Sequence, residues 1–548
     1  MSKIEDTLVS TLKDIIKDRY DIADSGNMVM IEIPKDSNNG DYSTNLAMRL
    51  TKILKKRPQD IANEIKEELT ARVKEIEKVD IAGPGFINFW IKKTALADVI
   101  NVVIDAGDDY GKNDSGQGGS ILVEYVSANP TGILHLGHAR GAAWGDSVCR
   151  LLKASGYDCL REYYINDAGN QMDMLALSVE ARYREELGLD FTLPEDGYHG
   201  EDVKKIGIEL AKEYGDKWIH VDHDDALKFF KAEGYRLEMK RIRDDLEYYR
   251  CEFDSWISEQ KLVDEGRIDK VMETMTEKGL TYTEDGAIWF KSSVYGDDKD
   301  RVLKKSNGYY TYLTPDIANH LYKFERGYQK LVDIWGADHH GYIPRMKAAI
   351  EAMGYPKDSF EVDIVQMVRL VEDGKEVKMS KRTGNAVTIR ELCEDIGVDA
   401  ARYFFLSKAL DTHMDFDLGL ARSKTNENPV YYAQYAYARI SSILRQAEKV
   451  EKLDTYDLLT SDKETELLKY INEFPNMIAE AAKTRSPNKV CNYIQKLAQY
   501  FHSFYGAYKI NDPSNEAMTR QRLALVLACK ITLKNALYYL GVEAPEKM

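Results

Sequence analysis

The sequence predicts an α/β protein: a Rossmann-type, doubly wound domain with insertions, preceded by a small N-terminal α/β domain and followed by a C-terminal all-α bundle. Three observations carry this. The apolar run Ile121-Leu122-Val123-Glu124-Tyr125-Val126 reads as a short buried strand; a turn at Asn129-Pro130-Thr131-Gly132 and a helical stretch from His138 to Leu152 follow it. Two later runs, Val332-Asp333-Ile334-Trp335 and Val362-Asp363-Ile364-Val365-Gln366, repeat the strand pattern. Beyond residue 415 the apolar residues keep helical spacing to the end.

Taken in order, the chain opens with Ile4, Leu8, Leu12, Ile15 and Ile16, one face of an amphipathic helix. Ile81, Phe86, Ile87 and Phe89 flank Gly83-Pro84-Gly85, which predicts strand, turn and strand. The polar, glycine-rich stretch Gly111-Lys112-Asn113-Asp114-Ser115-Gly116-Gln117-Gly118-Gly119-Ser120 then marks a boundary, so the first domain is expected over 1–112. The Rossmann-type domain is expected over 113–415, with helical insertions at about 170–285. A helical bundle is expected over 416–548. Its faces are Leu467, Leu468, Ile471, Phe474 and Ile478, then Val490, Ile494, Leu497, Phe501 and Phe504. A last helix from Arg522 to Leu540 stops at Gly541 and Pro545.

At 548 residues and roughly 150 per domain, three to four domains are expected. An apolar content of 44% supplies several cores. No window approaches the ~18 apolar residues of a membrane helix, and Met1-Ser2-Lys3-Ile4-Glu5-Asp6 lacks a signal-peptide pattern, so a cytoplasmic protein without a membrane partner is expected. The six cysteines form no close pairs, which predicts reduced thiols and no structural metal. A net charge of -16 argues against a general polyanion binder but not against a specific nucleic-acid partner. Abundant carboxylates also suit a cationic substrate.

His135-Leu136-Gly137-His138 falls at the strand-to-helix turn. Free amide N–H groups there attract phosphates, and Gly137 allows close backbone approach. The two imidazoles could donate hydrogen bonds to phosphate oxygens gaining charge in a transition state. They could also ligate a metal, although no third ligand is evident nearby. Lys378-Met379-Ser380-Lys381 lies in a polar segment between Asp373-Gly374 and Gly384-Asn385, which read as the borders of a mobile loop. Alone, that segment reads as solvated surface.

Together the two motifs, 240 residues apart, resemble the paired signatures of class I aminoacyl-tRNA synthetases. Arg382 stands where serine is common in that family. Glu124 to Gly132, Tyr164 to Gln171, Asp285-Gly286-Ala287 with Trp289, Asp298 to Leu303, Tyr310 to Ala318 and Gly336 to Tyr342 are similar to arginyl-tRNA synthetases in particular. So are Gly40-Asp41-Tyr42, Gly83 to Phe89 and the closing stretch Gly541 to Met548. The resemblance covers essentially the whole chain.

It implies ATP-dependent ligation of L-arginine to its tRNA through an arginyl-adenylate, with Mg2+ arriving with ATP rather than at a protein site. His135, His138, Lys378 and Lys381 would be catalytic. Asn129, Thr131, Gly132, Gly137, Gly336, Asp338, His339, Met367 and Val368 would hold ATP. Glu124, Ser127, Asn129, Tyr312, Asp316 and His340 would hold arginine, whose planar guanidinium pairs best with carboxylates. Tyr42 and Asn45 in the first domain, and Tyr435 and Arg439 in the bundle, would meet tRNA. Nothing demands a dimer, so a monomer is expected. Two other readings are a small-molecule nucleotidylyltransferase, which has no need of the flanking domains, and a non-catalytic tRNA-binding relative, which has no need of the intact histidines and lysines.

Overall fold

The computed structural model describes residues 3–23, 28–32, 34, 36, 39–377, 387–447 and 449–548. Its centre is a five-stranded sheet in which every neighbouring pair is parallel. In spatial order the strands are Phe360–Val365, Lys330–Gly336, Ser120–Glu124, Asp158–Ile165 and Ser255–Ser258. The chain enters in the middle, moves outward twice, then returns to the other side of its first strand. The order therefore reverses between Ser120–Glu124 and Lys330–Gly336, and such a reversal opens a crevice at the carboxyl ends of the strands. Parallel strands are covered on both faces, so Ile121, Leu122, Val123, Leu331 and Val332 are all buried.

The first strand ends at Glu124, two residues before the apolar run does. Val126 and Ser127 take φ values of 69° and 40°, which are costly for any side chain and most of all for a β-branched one. The chain thus leaves the sheet abruptly, and the Ser127 N–H donates to the Tyr125 carbonyl at 3.0 Å. Helix Leu136–Ala154 then packs back on the sheet. It comes so close at Gly145 that a Cβ there would lie 2.3 Å from Cγ of Tyr125.

The N-terminal domain has its own core. Helices Lys3–Tyr20, Leu46–Leu54 and Pro58–Arg72 cover an antiparallel sheet in the order Tyr42–Thr44, Phe86–Ile91, Ile76–Ala82. Ile4, Leu8, Leu12, Ile15 and Ile16 are buried in it, as their spacing predicts. Gly83-Pro84-Gly85 joins the paired ends Ala82 and Phe86.

The insertion is helical over Asn170–Glu186, Glu201–Tyr214 and His223–Tyr248, which share a small core around Leu175, Val179, Tyr183 and Phe230. It then continues as an antiparallel sheet of Thr281–Glu284, Ala287–Phe290 and Arg301–Lys304. The Asp285-Gly286 turn of that sheet has φ of 49° and 74°, the left-handed pair that a tight hairpin requires.

Five helices longer than one turn follow Asn428: Pro429–Arg445, Asp462–Asn472, Phe474–Lys483, Pro487–Ala507 and Glu516–Tyr539. The bundle core includes the predicted faces at Leu467, Leu468, Ile471, Phe474, Val490, Ile494, Leu497 and Phe501. The segment joining the first two domains lies against this bundle. Val99, Ile100 and Val103 of helix Val99–Ala106 share its core. The Asn535 amide donates to the carbonyls of Gly107 and Tyr110, both at 2.9 Å, and the Tyr110 hydroxyl donates to the Ile471 carbonyl at 2.7 Å. All six cysteines are buried and unpaired. Among the described residues, no helix is long and apolar enough to cross a membrane.

Candidate active site

A cavity of about 770 Å³ opens at the reversal point. Three strand ends build its wall: residues 126–141 after the first strand, 334–339 after Lys330–Gly336, and 365–368 after Phe360–Val365. All nine residues expected for ATP line it: Asn129, Thr131, Gly132, Gly137, Gly336, Asp338, His339, Met367 and Val368.

His135 and His138 line it as well and form a reciprocal helix cap. Nδ1 of His135 accepts from the Gly137 N–H at 3.0 Å, and Nδ1 of His138 accepts from the His135 N–H at 3.2 Å. Since both Nδ1 atoms accept, a neutral ring must carry its proton on Nε2, leaving that N–H free to donate. Burial, and secondarily the neighbouring His135, pushes His138 down to about 4; burial also lowers His135. Both rings are therefore neutral donors at physiological pH. A Cβ at Gly137 would lie 2.8 Å from Cε1 of His135, so only glycine leaves this cap undisturbed.

Lys378 and Lys381, with Met379 and Ser380 between them, lie outside the described residues. The chain on either side is well anchored. Before them, Val371 pairs with Glu376 in a hairpin, and the Val377 N–H donates to the Leu370 carbonyl at 2.8 Å. The Asp373-Gly374 turn of that hairpin has φ of 50° and 73°, the left-handed pair of a tight turn, and Gly384-Asn385 lies outside the described residues. After them, the Leu136 N–H donates to the Val387 carbonyl at 2.9 Å, and the Ile389 N–H to the Leu134 carbonyl at 3.0 Å. Thr388 caps the following helix reciprocally with Glu391. The described chain that resumes at Val387 is thus bonded directly to the turn that carries the first signature.

Arg140, two residues after His138, was not foreseen. It is fully buried, and its guanidinium donates to the carbonyls of Gln366, Thr412 and Ala409 at 3.1, 2.8 and 2.7 Å. It clamps the backbone that precedes Met367 and Val368. Burial lowers its pKa to about 10, which still leaves it charged.

Ser127 and Asn129 of the expected arginine set also line the cavity. Glu124 and Asp316 are withdrawn from its wall. One oxygen of the buried Glu124 accepts from the Ser127 hydroxyl at 2.9 Å; the other accepts from Lys323 and, at 3.4 Å, from Asn319. Asp316 accepts from the Tyr342 hydroxyl at 2.5 Å. Burial raises the pKa of both carboxyls. Glu259, absent from the expected set, joins them. Burial pushes it up to about 7, and Asp316 and Asp167 add like charge. It stands just past strand Ser255–Ser258, at a carboxyl end, which is the one positional signal for it. Tyr312 (86% exposed) and His340 are at the surface; Tyr312 immediately precedes the helix that bears Asp316.

Of the residues expected to meet tRNA, Tyr42 is only 4% exposed and accepts from the Asn472 amide of the bundle at 3.2 Å. It is a domain-contact residue, covered where RNA would have to reach it. Asn45 is half-buried. Tyr435 stacks between Tyr431 and His502, and Arg439 bonds the hydroxyls of Tyr435 and Tyr505 on the bundle surface. Among the described residues, no group of three or more His, Cys, Asp or Glu gathers as a metal ion would require.

Three families match consecutive parts of the chain. Residues 3–91 match the arginyl tRNA synthetase N terminal domain, 99–415 the catalytic domain of tRNA synthetases class I (R), and 433–548 the DALR anticodon binding domain. The chain is 53% identical over 554 residues to an arginine--tRNA ligase of Bacillus licheniformis, covering 99% of this chain and 100% of that one. It is 56% identical over 524 residues to that of Bacillus subtilis, covering 95% and 94%. The arginyl-tRNA synthetase of Thermus thermophilus shares the fold with a TM-score of 0.74 at 22% identity, over 99% of both chains.

Proposed function

The chain belongs to the arginyl-tRNA synthetases and ligates arginine to tRNA using ATP, and from that premise we propose how its catalytic domain divides the work. In the reaction, the arginine carboxylate attacks the α-phosphorus of ATP and pyrophosphate leaves. A hydroxyl of the tRNA terminal adenosine then attacks the adenylate carbonyl, and AMP leaves. No protein nucleophile is needed, so positioning and charge stabilisation supply the catalysis.

The observation that carries the reading is the convergence of all nine expected nucleotide residues and both signature histidines on one cavity. The Nε2 N–H groups of His135 and His138 donate to phosphate oxygens as charge builds on them. Gly336, Asp338 and His339 take the ribose, and Met367 and Val368 the adenine edge. Mg2+ enters with ATP. Lys378 and Lys381 neutralise the charge of the leaving pyrophosphate. Glu124, Asp316 and Glu259 receive the guanidinium; Tyr312 and His340 fold over it once it is bound. Ser127 and Asn129, on the shared edge, take the α-amino end. Asn45, Tyr435 and Arg439 meet tRNA, and the protein works as a cytoplasmic monomer.

Pyrophosphate exchange tests the core of this. Arginine, and neither lysine nor glutamine, should support it, and adding tRNA should raise it. K381A should cut the exchange rate by ~10²-fold or more with arginine KM within about threefold, as expected of a group acting on the transition state. An unchanged rate removes the role of the lysine segment. Full exchange without tRNA removes the tRNA requirement.

A further inference from the structure

Three carboxylates stand in one row across the central sheet. Asp333 is in register with Glu124, and Glu124 with Glu162, each on an adjacent parallel strand. Two cations from the neighbouring helix and its end lie over this row. Lys323, whose side chain has no exposed surface, reaches both Glu124 and Asp333, the latter at 3.3 Å. Arg326 reaches Glu162 at 2.6 Å. His320, one turn before Lys323, links Asp333 (2.8 Å to Nε2) to the backbone carbonyl of Asp316 (2.7 Å to Nδ1). His320, Asp333, Lys323 and Glu124 thus form one connected chain from the Asp316 backbone to the Glu124 carboxylate.

A lysine without any exposed surface is costly, and apolar residues of similar volume would hold helix and sheet together at least as well. Its presence calls for a use other than stability. Lys323 takes up one oxygen of Glu124, and the other oxygen meets the Ser127 hydroxyl, which stands at the cavity wall. We propose that Lys323 is a positioning residue for amino-acid selection: shared between Glu124 and Asp333, it fixes one oxygen of the Glu124 carboxylate and turns the other, on the Ser127 side, toward the guanidinium. The proposal rests on the reading that Glu124 receives the guanidinium.

Removing the charge of Lys323 leaves two buried carboxylates side by side, and such pairs retain a proton rather than both ionise. Arginine must then displace that proton. The groups that face Glu124 are Ser127 on its own turn, Asn319 and Lys323 on the helix, Asp333 on one neighbouring strand and Glu162 on the other, with Asp316, His320 and Tyr164 beyond them. Lys323 is the one lysine or arginine among them.

The test is arginine KM from aminoacylation of tRNA at saturating ATP, from pH 6.5 to 9, for wild type, K323M, K323R, D333N and E124Q. K323M should raise arginine KM about tenfold or more at pH 7 (a ~1.4 kcal/mol loss). The excess should shrink as pH rises, while ATP KM stays within about twofold. K323R keeps the charge and should lack the added pH dependence even if its KM is raised. Arginine KM of K323M within twofold of wild type at every pH overturns the proposal. So does an increase that is the same at every pH and shared by K323R, because that signature is packing damage. If K323M yields no folded protein, D333N decides: lysine drawn wholly onto Glu124 should raise arginine KM, and a KM within twofold of wild type overturns the proposal. E124Q separates the premise from the inference. If it leaves arginine KM unchanged, the guanidinium reading fails; if it raises KM while K323M does not, the assignment of Lys323 fails alone.

Discussion

The two halves of the active site are made of opposite materials. The half proposed for the nucleotide is open and lined largely by glycines, backbone and imidazoles, with one carboxylate, Asp338; the buried cation Arg140 is spent on carbonyls. The half proposed for arginine is closed, and within it Glu124 is held by a buried lysine and Asp316 by the Tyr342 hydroxyl. A polyphosphate brings several charges together with its own cation, so partial dipoles suffice to hold it and leave room to respond when charge moves. A guanidinium brings one delocalised charge and must be distinguished from an ammonium, which demands carboxylates held at fixed angles in a dry site.

Breaking one half without the other is the strongest check on this contrast. H138A should lower the rate of pyrophosphate exchange by ~10²–10³-fold, the usual effect of losing one transition-state donor, with arginine KM nearly unchanged. Because Nδ1 of His138 also caps the His135 N–H, H138N, which can keep that acceptor, tells the cap from the catalytic role. If arginine KM moves and the rate does not, the two halves are not separate. D316N should do the reverse and raise arginine KM by ~10–100-fold with ATP KM within about threefold, the effect of removing a charged partner from a buried pair.

The smallest expected effect is on pH. Glu259, raised to about 7 by burial, takes up a proton as pH falls from 8 to 6. The pocket then loses negative charge, so kcat/KM for arginine should fall by up to about tenfold over this interval. His138, lowered to about 4, stays neutral throughout, so ATP KM should be flat. Parallel changes in both constants would show that one group serves both halves.

The same contrast governs what could be read from the chain alone. The cavity lining falls in short stretches at the ends of strand-like runs, so local pattern marks where it lies: residues 129–138 behind Ser120–Glu124, 336–339 at the end of Lys330–Gly336, and 367–368 behind Phe360–Val365. The roles given to those residues came from the family resemblance. The place of Glu124 at a strand end was legible in the same way. Glu259 occupies an equivalent place, but its strand, Ser255–Ser258, is four half-buried residues with a serine at each end and has no apolar run to announce it. Lys323 looks like the polar position of an amphipathic helix. Its burial depends on the register between Asp333 and Glu124, strands 200 residues apart, which no local period encodes. Tyr42, beside Gly40-Asp41, reads as an exposed motif until Asn472 arrives from the far end of the chain to cover it.

Such distances also order events in time. The N-terminal domain closes its own core from its first hundred residues and can fold as soon as they leave the ribosome. The next helix, Val99–Ala106, cannot: its apolar face and the carbonyls of Gly107 and Tyr110 wait for Ile471 and Asn535. Nearly all of synthesis passes before that surface is covered. A late stop codon or a frayed last helix is therefore felt around residue 100, where it would leave a hydrophobic seam open between two otherwise finished domains.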